Sequence, residues 1–274
     1  MTVVVIPVYK IVPNQFELIS FERCVQTLKR HTICIITHEK LDISYYLNIL
    51  KLEKKTCRIE YFNKNYFNSI EGYNQLMLSI EFYNRFRSFE YMLIYQLDAY
   101  VFNDELDYWC DLGYDYIGAP WIENNITSEV GGNGGFSLRK ISSFIKVLET
   151  RKKIVYNPLQ LIKQYKKNNS IIFFISKVPL IILRIFGYRN SSQYFLTANQ
   201  KKTEDFFWAY NAKPIYSQFK VVQGNLAVKF SFEGSPLFLY EKNNFSLPFG
   251  CHAWEKNDYP DWLNIVVKNY HDSK

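Results

Sequence analysis

What most constrains this chain is a repeated alternation of two patterns. Residues 2–8, TVVVIPV, form an unbroken apolar run rich in β-branched side chains, the mark of a strand buried on both faces of its sheet. Residues 14–30, NQFELISFERCVQTLKR, then place Phe16, Ile19, Cys24 and Leu28 at helical spacing. The same pair recurs: 32–37, TICIIT, reads as a strand and 44–55, SYYLNILKLEKK, as a helix. A third strand is expected at 57–62, CRIEYF. A single helical face runs through Phe67, Ile70, Tyr73, Met77, Ile80 and Phe86, and a fourth strand is expected at 91–97, YMLIYQL. Strands alternating with helices predict an α/β fold, a Rossmann-type mostly parallel sheet flanked by helices. Ligands of such sheets sit beyond the carboxyl ends of the strands. Asp98, in QLDAYVF, closes the fourth run at such an end.

The pattern changes after residue 110. The stretches GYDYIGAPW, GGNGGFSLRK, AVKFSFEG and LPFGCHAW are short, aromatic and punctuated by glycine, and read as mixed strands and loops covering one edge of a site. Between them, 141–200 reads as a basic, apolar, helical insertion. From Lys140 to Asn190 eleven basic residues face one acid, Glu149, whereas the whole chain carries +7. The basicity is local and implies a local anionic partner. Residues 171–189 are apolar but broken by Lys177, Pro179 and Arg184. They suit an interfacial segment better than a span of about 20 apolar residues. Each basic residue near an anionic bilayer is worth roughly 1 kcal/mol, so attachment through 165–190 to the inner face of the cell membrane is the expectation. The five cysteines are widely spaced, without a CxxC pair, and fit a reducing cytoplasm. The first residues carry no basic segment of the kind that opens a signal peptide, and the four Asn-x-Ser/Thr sequons are expected to stay unmodified. A pI near 8.9 and many aromatics leave nucleic-acid binding as an alternative, but no recognised RNA or DNA motif supports it.

Four constellations can carry chemistry, and each has a plain structural reading beside it. Asp98 is a helix cap or loop acid, or else a ligand for a divalent cation on a diphosphate. The four glycines of VGGNGGFSLR make an ordinary hairpin turn, or let the backbone approach a phosphate or sugar. No Gly-Lys-Ser/Thr follows, so it is not a P-loop. Glu204 and Asp205 of KKTEDFFW are first-turn acids of a helix capped by Thr203, or a general base in a site dried by Phe206, Phe207 and Trp208. His252 of FGCHAW is a structural histidine, or a fixed imidazole at a site.

In their order, EYMLIYQLDAYVF, DYIGAPW, GNGGFSLR, EDFFW and FGCHAW resemble the GT-A glycosyltransferases. More closely, they resemble a GT-A-like family of bacterial polysaccharide-locus proteins catalogued as a domain of unknown function. The resemblance spans residues 1–140 and 200–256. It implies a nucleotide-sugar donor, UDP-linked by family habit, and a saccharide acceptor, expected to be lipid-linked, in surface polysaccharide assembly, with no nucleic acid involved. It implies that Asp98 takes the last position of an Asp-x-Asp motif whose first position is here Gln96, and that His252 joins Asp98 on Mn²⁺ or Mg²⁺. A metal-free site is the alternative. It implies donor contacts from Pro7, Val8, Tyr9, Thr37, His38, Ser69, Tyr73, Asn74, Gln96, Gly134 and Gly135, and sugar stacking on Trp121. Asp205 is the implied catalytic base of an inverting transfer, with Glu204 second. A catalytically inactive sugar-binding relative stays open, since Gln96 replaces an acid.

Overall fold

The computed structural model describes residues 1–149, 175, 178, 203–256, 259–267, 269 and 271. Its spine is a six-stranded sheet of order β3 (Cys57–Tyr61), β2 (Thr32–Thr37), β1 (Thr2–Pro7), β4 (Tyr91–Tyr95), β9 (Phe136–Lys140) and β6 (Tyr116–Ile117). β1 (Thr2–Pro7), β2 (Thr32–Thr37), β3 (Cys57–Tyr61) and β4 (Tyr91–Tyr95) run parallel, as expected from the sequence. β5 (Ala99–Val101) leaves this sheet, and β6 (Tyr116–Ile117) returns to its edge. β7 (Pro120–Glu123) and β8 (Ile126–Gly131) form a hairpin. β9 (Phe136–Lys140) lies antiparallel between β4 and β6. β10 (Ser231–Phe232) and β11 (Gly250–His252) join β5 in a second sheet, with β11 antiparallel to β5.

Alternate strand residues feed two cores, because successive side chains point to opposite faces. Val4, Ile6, Ile33, Ile35, Leu93 and Tyr95 pack beneath α1 (Gln15–Thr27), α2 (Ser44–Leu52) and α5 (Leu106–Asp111). Val3, Val5, Cys34, Ile36, Met92 and Ile94 face α3 (Ile70–Met77), α4 (Ile80–Arg85), α6 (Ile141–Glu149) and α7 (Glu204–Tyr210). Full burial of each such side chain is worth about 1.5–3 kcal/mol, which is why a continuous apolar run and not an alternating one marks these strands. Beyond α7, α8 (Ala212–Ile215), α9 (Gly224–Phe230) and α10 (Pro236–Lys242) close the edge near β10.

One expectation is corrected. The helical face over residues 67–86 is split into α3 and α4. Ser79 causes the break: its hydroxyl donates to Leu76 O at 2.8 Å and accepts from Phe82 N at 3.1 Å, capping a new helix. The insertion expected at 141–200 is described only through α6 and at residues 175 and 178. The membrane-attachment segment 165–190 otherwise lies outside the described residues. Among those described, no helix is long and apolar enough to cross a membrane.

Candidate active site

Two ladders build the floor of the site. Gln96 N donates to Gly135 O at 2.9 Å, extending the β4–β9 pairing one residue past Tyr95 and Phe136. The chain then turns and enters β5, where Ala99 is the antiparallel partner of His252. Asp98 therefore stands where the two sheets meet. Its Oδ1 lies 3.2 Å from His252 Nε2, and Gln96 Oε1 lies 3.1 Å from the same nitrogen. Ala253 takes a left-handed conformation (φ 53°), and Lys256 N donates to Ala253 O at 3.0 Å. That turn carries Lys256 Nζ back to within 2.5 Å of Asp98 Oδ2. Glu233 Oε2 approaches His252 Nδ1 at 3.4 Å from the other side.

The electrostatics follow from this packing. Burial disfavours the His252 cation, but Asp98 and Glu233 outweigh it and raise the imidazole to about 10. Burial also pushes Asp98 up, yet His252 and Lys256 more than offset it and hold the carboxyl below its ordinary range.

The glycine turn and α7 form the facing wall. A Cβ on Gly135 would collide with the His252 ring, so only glycine allows this approach. A Cβ on Gly134 would meet Glu204 Oε1 at 2.6 Å. Asn133 Oδ1 accepts from Gly135 N at 3.2 Å and braces the turn. Below it, the fully buried Arg139 donates to Glu204 Oε1 at 2.8 Å, Tyr83 Oη at 3.0 Å and Gly134 O at 3.3 Å. Glu204 N donates to Asn74 Oδ1 at 3.1 Å. Glu204 is thus tied to Arg139 and helps fix the wall, although burial pushes its carboxyl up to about 7 against the pull of Arg139. Asp205 differs. Its Oδ1 accepts from Thr203 Oγ1 and, at 2.7 Å, from Phe206 N. Thr203 stands at the N-cap position of α7, as expected, but its hydroxyl engages Asp205 rather than the helix backbone. Burial raises the Asp205 pKa.

These walls enclose a cleft of about 480 Å³. Among the sequence candidates, Pro7, Tyr9, Ser69, Tyr73, Asn74, Gln96, Gly134, Gly135, Glu204, Asp205 and His252 all line it. Tyr9 is held at the mouth by Glu17, 3.4 Å from its hydroxyl. Glu17 in turn forms a capping box with Asn14 at the start of α1. Five candidates are placed otherwise. Val8 points into the core beneath α1, on the opposite face of the strand from its neighbours. Thr37 is fully buried at the end of β2. His38 is buried against Phe67, which itself lines the cleft (ring centroids 5.9 Å apart). Asp98 lies behind His252 and Lys256, which present its charge balance to the cleft. Trp121 lies outside, in two adjoining hollows. Lys256, Glu233, Arg139 and Asn133 were not singled out from sequence. An arginine in the apolar strand FSLRK was the available signal for Arg139, since a buried guanidinium needs a partner.

Among the described residues, no group of three His, Cys, Asp or Glu side chains is arranged to hold a metal. The donor atoms present nevertheless fit a divalent cation completed by phosphate oxygens. Asp98 Oδ1 and Gln96 Oε1 flank His252 Nε2 at 3.2 and 3.1 Å, close to the ~3 Å separation of neighbouring ligands on a small hard cation. Cation binding would displace the imidazole proton.

Residues 56–252 match the family described as "Protein of unknown function (DUF5672)". The chain belongs to that family. No curated protein matches the chain significantly. Among solved structures, the core-mannan synthase A (CmsA/Ktr4) of Aspergillus fumigatus in its Mn/GDP form is similar at 10% identity and a TM-score of 0.38, over 52% of this chain and 60% of that one. The galactosyltransferase LgtC, in complex with donor and acceptor sugar analogs, is similar at 11% identity and a TM-score of 0.47, over 99% and 96%. The apo form of the bifunctional glycosyltransferase WbbM is similar at 12% identity and a TM-score of 0.41, over 98% and 51%. The chain thus spans about half to two thirds of the length of two of these proteins. The sheet of this DUF5672 member is mostly parallel, and Asp98 follows the carboxyl end of β4.

Proposed function

We propose that the cleft binds a nucleotide sugar and that the protein transfers the sugar to a saccharide hydroxyl. The observation that carries this reading is the convergence on one cleft of three groups far apart in sequence: Gln96 and His252 around Asp98, the backbone of Gly134 and Gly135, and the carboxylate of Asp205. The donor diphosphate lies over His252 and Lys256, whose positive charge stabilises the leaving group. A divalent cation held by Asp98, His252 and Gln96 would add charge neutralisation at the same place. Pro7, Tyr9, Phe67 and Ser69 wall the end of the cleft that suits the nucleoside. The glycine backbone faces the sugar. Asp205 Oδ1 is fixed by two donors and its pKa is raised, which suits a base that takes the acceptor hydroxyl proton as that oxygen attacks the anomeric carbon with inversion. Glu204 holds the wall through Arg139.

A uridine donor, a lipid-linked acceptor in surface polysaccharide assembly and attachment to the inner membrane face belong to the same proposal. The test is a thermal-shift panel of nucleoside diphosphates and nucleotide sugars, with and without Mn²⁺, followed by assay of nucleoside diphosphate release. Stabilisation by a nucleotide and its release from a matching sugar donor are expected. A catalytically inactive sugar-binding relative would bind a saccharide yet release no nucleotide.

A further inference from the structure

Outside the cleft, Trp121 of β7 stacks on Tyr210 of α7, with ring centroids 5.8 Å apart and planes 21° apart. Phe206 packs against Tyr210 at 4.6 Å. These rings form one side of an open hollow of about 620 Å³, whose other side is the β7–β8 hairpin with Glu123, Asn124 and Thr127. Tyr210 is 40% exposed there. The hollow neighbours the cleft through shared walls: Trp121 also lines a second hollow of about 500 Å³ with Glu233 and Lys256, and Lys256 lines the cleft itself.

We infer that this aromatic shelf binds a saccharide chain, so that the acceptor is an oligosaccharide whose inner sugar units rest outside the transfer site. The term acceptor rests on the transferase reading above, while the shelf's chemistry does not. Aromatic faces carry negative quadrupole charge and attract the electropositive C–H faces of a pyranose. Glu123, Asn124 and Thr127 supply acceptors and donors for its hydroxyls at the rim. A nucleic acid does not suit the shelf, because Glu123 lines it and Glu129 stands near Tyr210, where phosphates would be repelled. The shelf and the catalytic helix are one element: Asp205, Phe206 and Tyr210 all belong to α7, so a chain seated on the rings is registered against the base.

The experiment titrates the full chain with soluble hexasaccharides of glucose, galactose and mannose and with each monosaccharide, by saturation-transfer NMR, in wild type and Tyr210→Ala. UDP-induced thermal shift is measured in parallel. At least one hexasaccharide is expected to bind about tenfold more tightly than its monosaccharide, and Tyr210→Ala to weaken it about five- to tenfold, the scale of one lost ring contact, with the UDP shift unchanged. Should Tyr210→Ala melt early, Tyr210→Leu keeps the volume without the ring and carries the same expectation. Absence of hexasaccharide binding to wild type, or equal affinity in wild type and variant, overturns the shelf even if UDP binds. Tyr210-dependent hexasaccharide binding without any UDP shift leaves the shelf standing and removes the uridine donor from the transferase reading.

Discussion

Asp98 Oδ1 stands 3.2 Å from His252 Nε2 because β5 and β11 are antiparallel neighbours that pair Ala99 with His252. The contact joins the end of the main sheet to the second sheet at the floor of the cleft. Both side chains are largely withdrawn from water, so removing Asp98 leaves the buried His252 cation with Glu233 as its remaining acidic partner and removes the partner of Lys256. Asp98→Ala is expected to destabilise the fold by about 3 kcal/mol in urea unfolding. Donor binding in wild type is expected to weaken on chelation by EDTA and to recover with Mn²⁺. In Asp98→Ala it should be weak and indifferent to both treatments.

Lys256 touches the same carboxylate but its side chain is 61% exposed, so its ion pair contributes little to stability, within about 1 kcal/mol. Its position over the cleft gives it a different role. Lys256→Ala is expected to melt close to wild type and to bind a nucleoside diphosphate about tenfold more weakly, as suits loss of one charge-assisted contact. Calorimetric titration separates the two effects.

Glu204 and Asp205 are neighbours with opposite expectations. Glu204→Ala strands the fully buried Arg139 guanidinium and should cost about 3–5 kcal/mol of stability. Asp205→Asn removes a carboxylate whose ionisation burial opposes. Its folded pKa lies above the ordinary 3.8, so the folded state holds this proton more tightly than the unfolded one. Stability associated with the protonated acid is therefore complete below pH 3.8 and declines as pH rises through the folded pKa. Asp205→Asn, which mimics the protonated form, should become more stable than wild type as pH rises towards neutral. Urea midpoints over a pH series check the sign, and a variant that tracks wild type at every pH contradicts it.

The turn offers a steric test. Since a Cβ on Gly135 would overlap the His252 ring, Gly135→Ala must push the imidazole away from Asp98. A destabilisation of about 1–3 kcal/mol and loss of the Mn²⁺ response in nucleotide binding are expected, read by thermal shift.

The sequence revealed the parallel sheet because its four strands are buried on both faces, and runs such as TVVVIPV and TICIIT can occupy few other environments. It revealed the corner at Asp98 for the same reason: an acid ending such a run has nowhere to go but the strand's carboxyl end. The break at Ser79 was hidden, since the apolar spacing stays in phase across both helices while one hydroxyl decides the cap. The pairing of β5 with β11 was hidden because three-residue strands carry too few side chains to declare a partner. Lys256 sits in an ordinary polar stretch, and only the left-handed turn at Ala253 brings it to Asp98. The run VIPVY does not declare the strand's phase, which sends Pro7 and Tyr9 to the cleft and Val8 to the core.

The most direct measurement is nucleoside diphosphate release from a panel of nucleotide sugars by wild type and Asp205→Asn, with the donor dissociation constant determined for both. At least one donor should be consumed by wild type, with release slowed about 100-fold or more in the variant while donor affinity stays within about twofold. A wild-type protein that neither binds nor consumes any nucleotide sugar, or an Asp205→Asn variant that turns over at the wild-type rate, contradicts sugar transfer driven by this cleft.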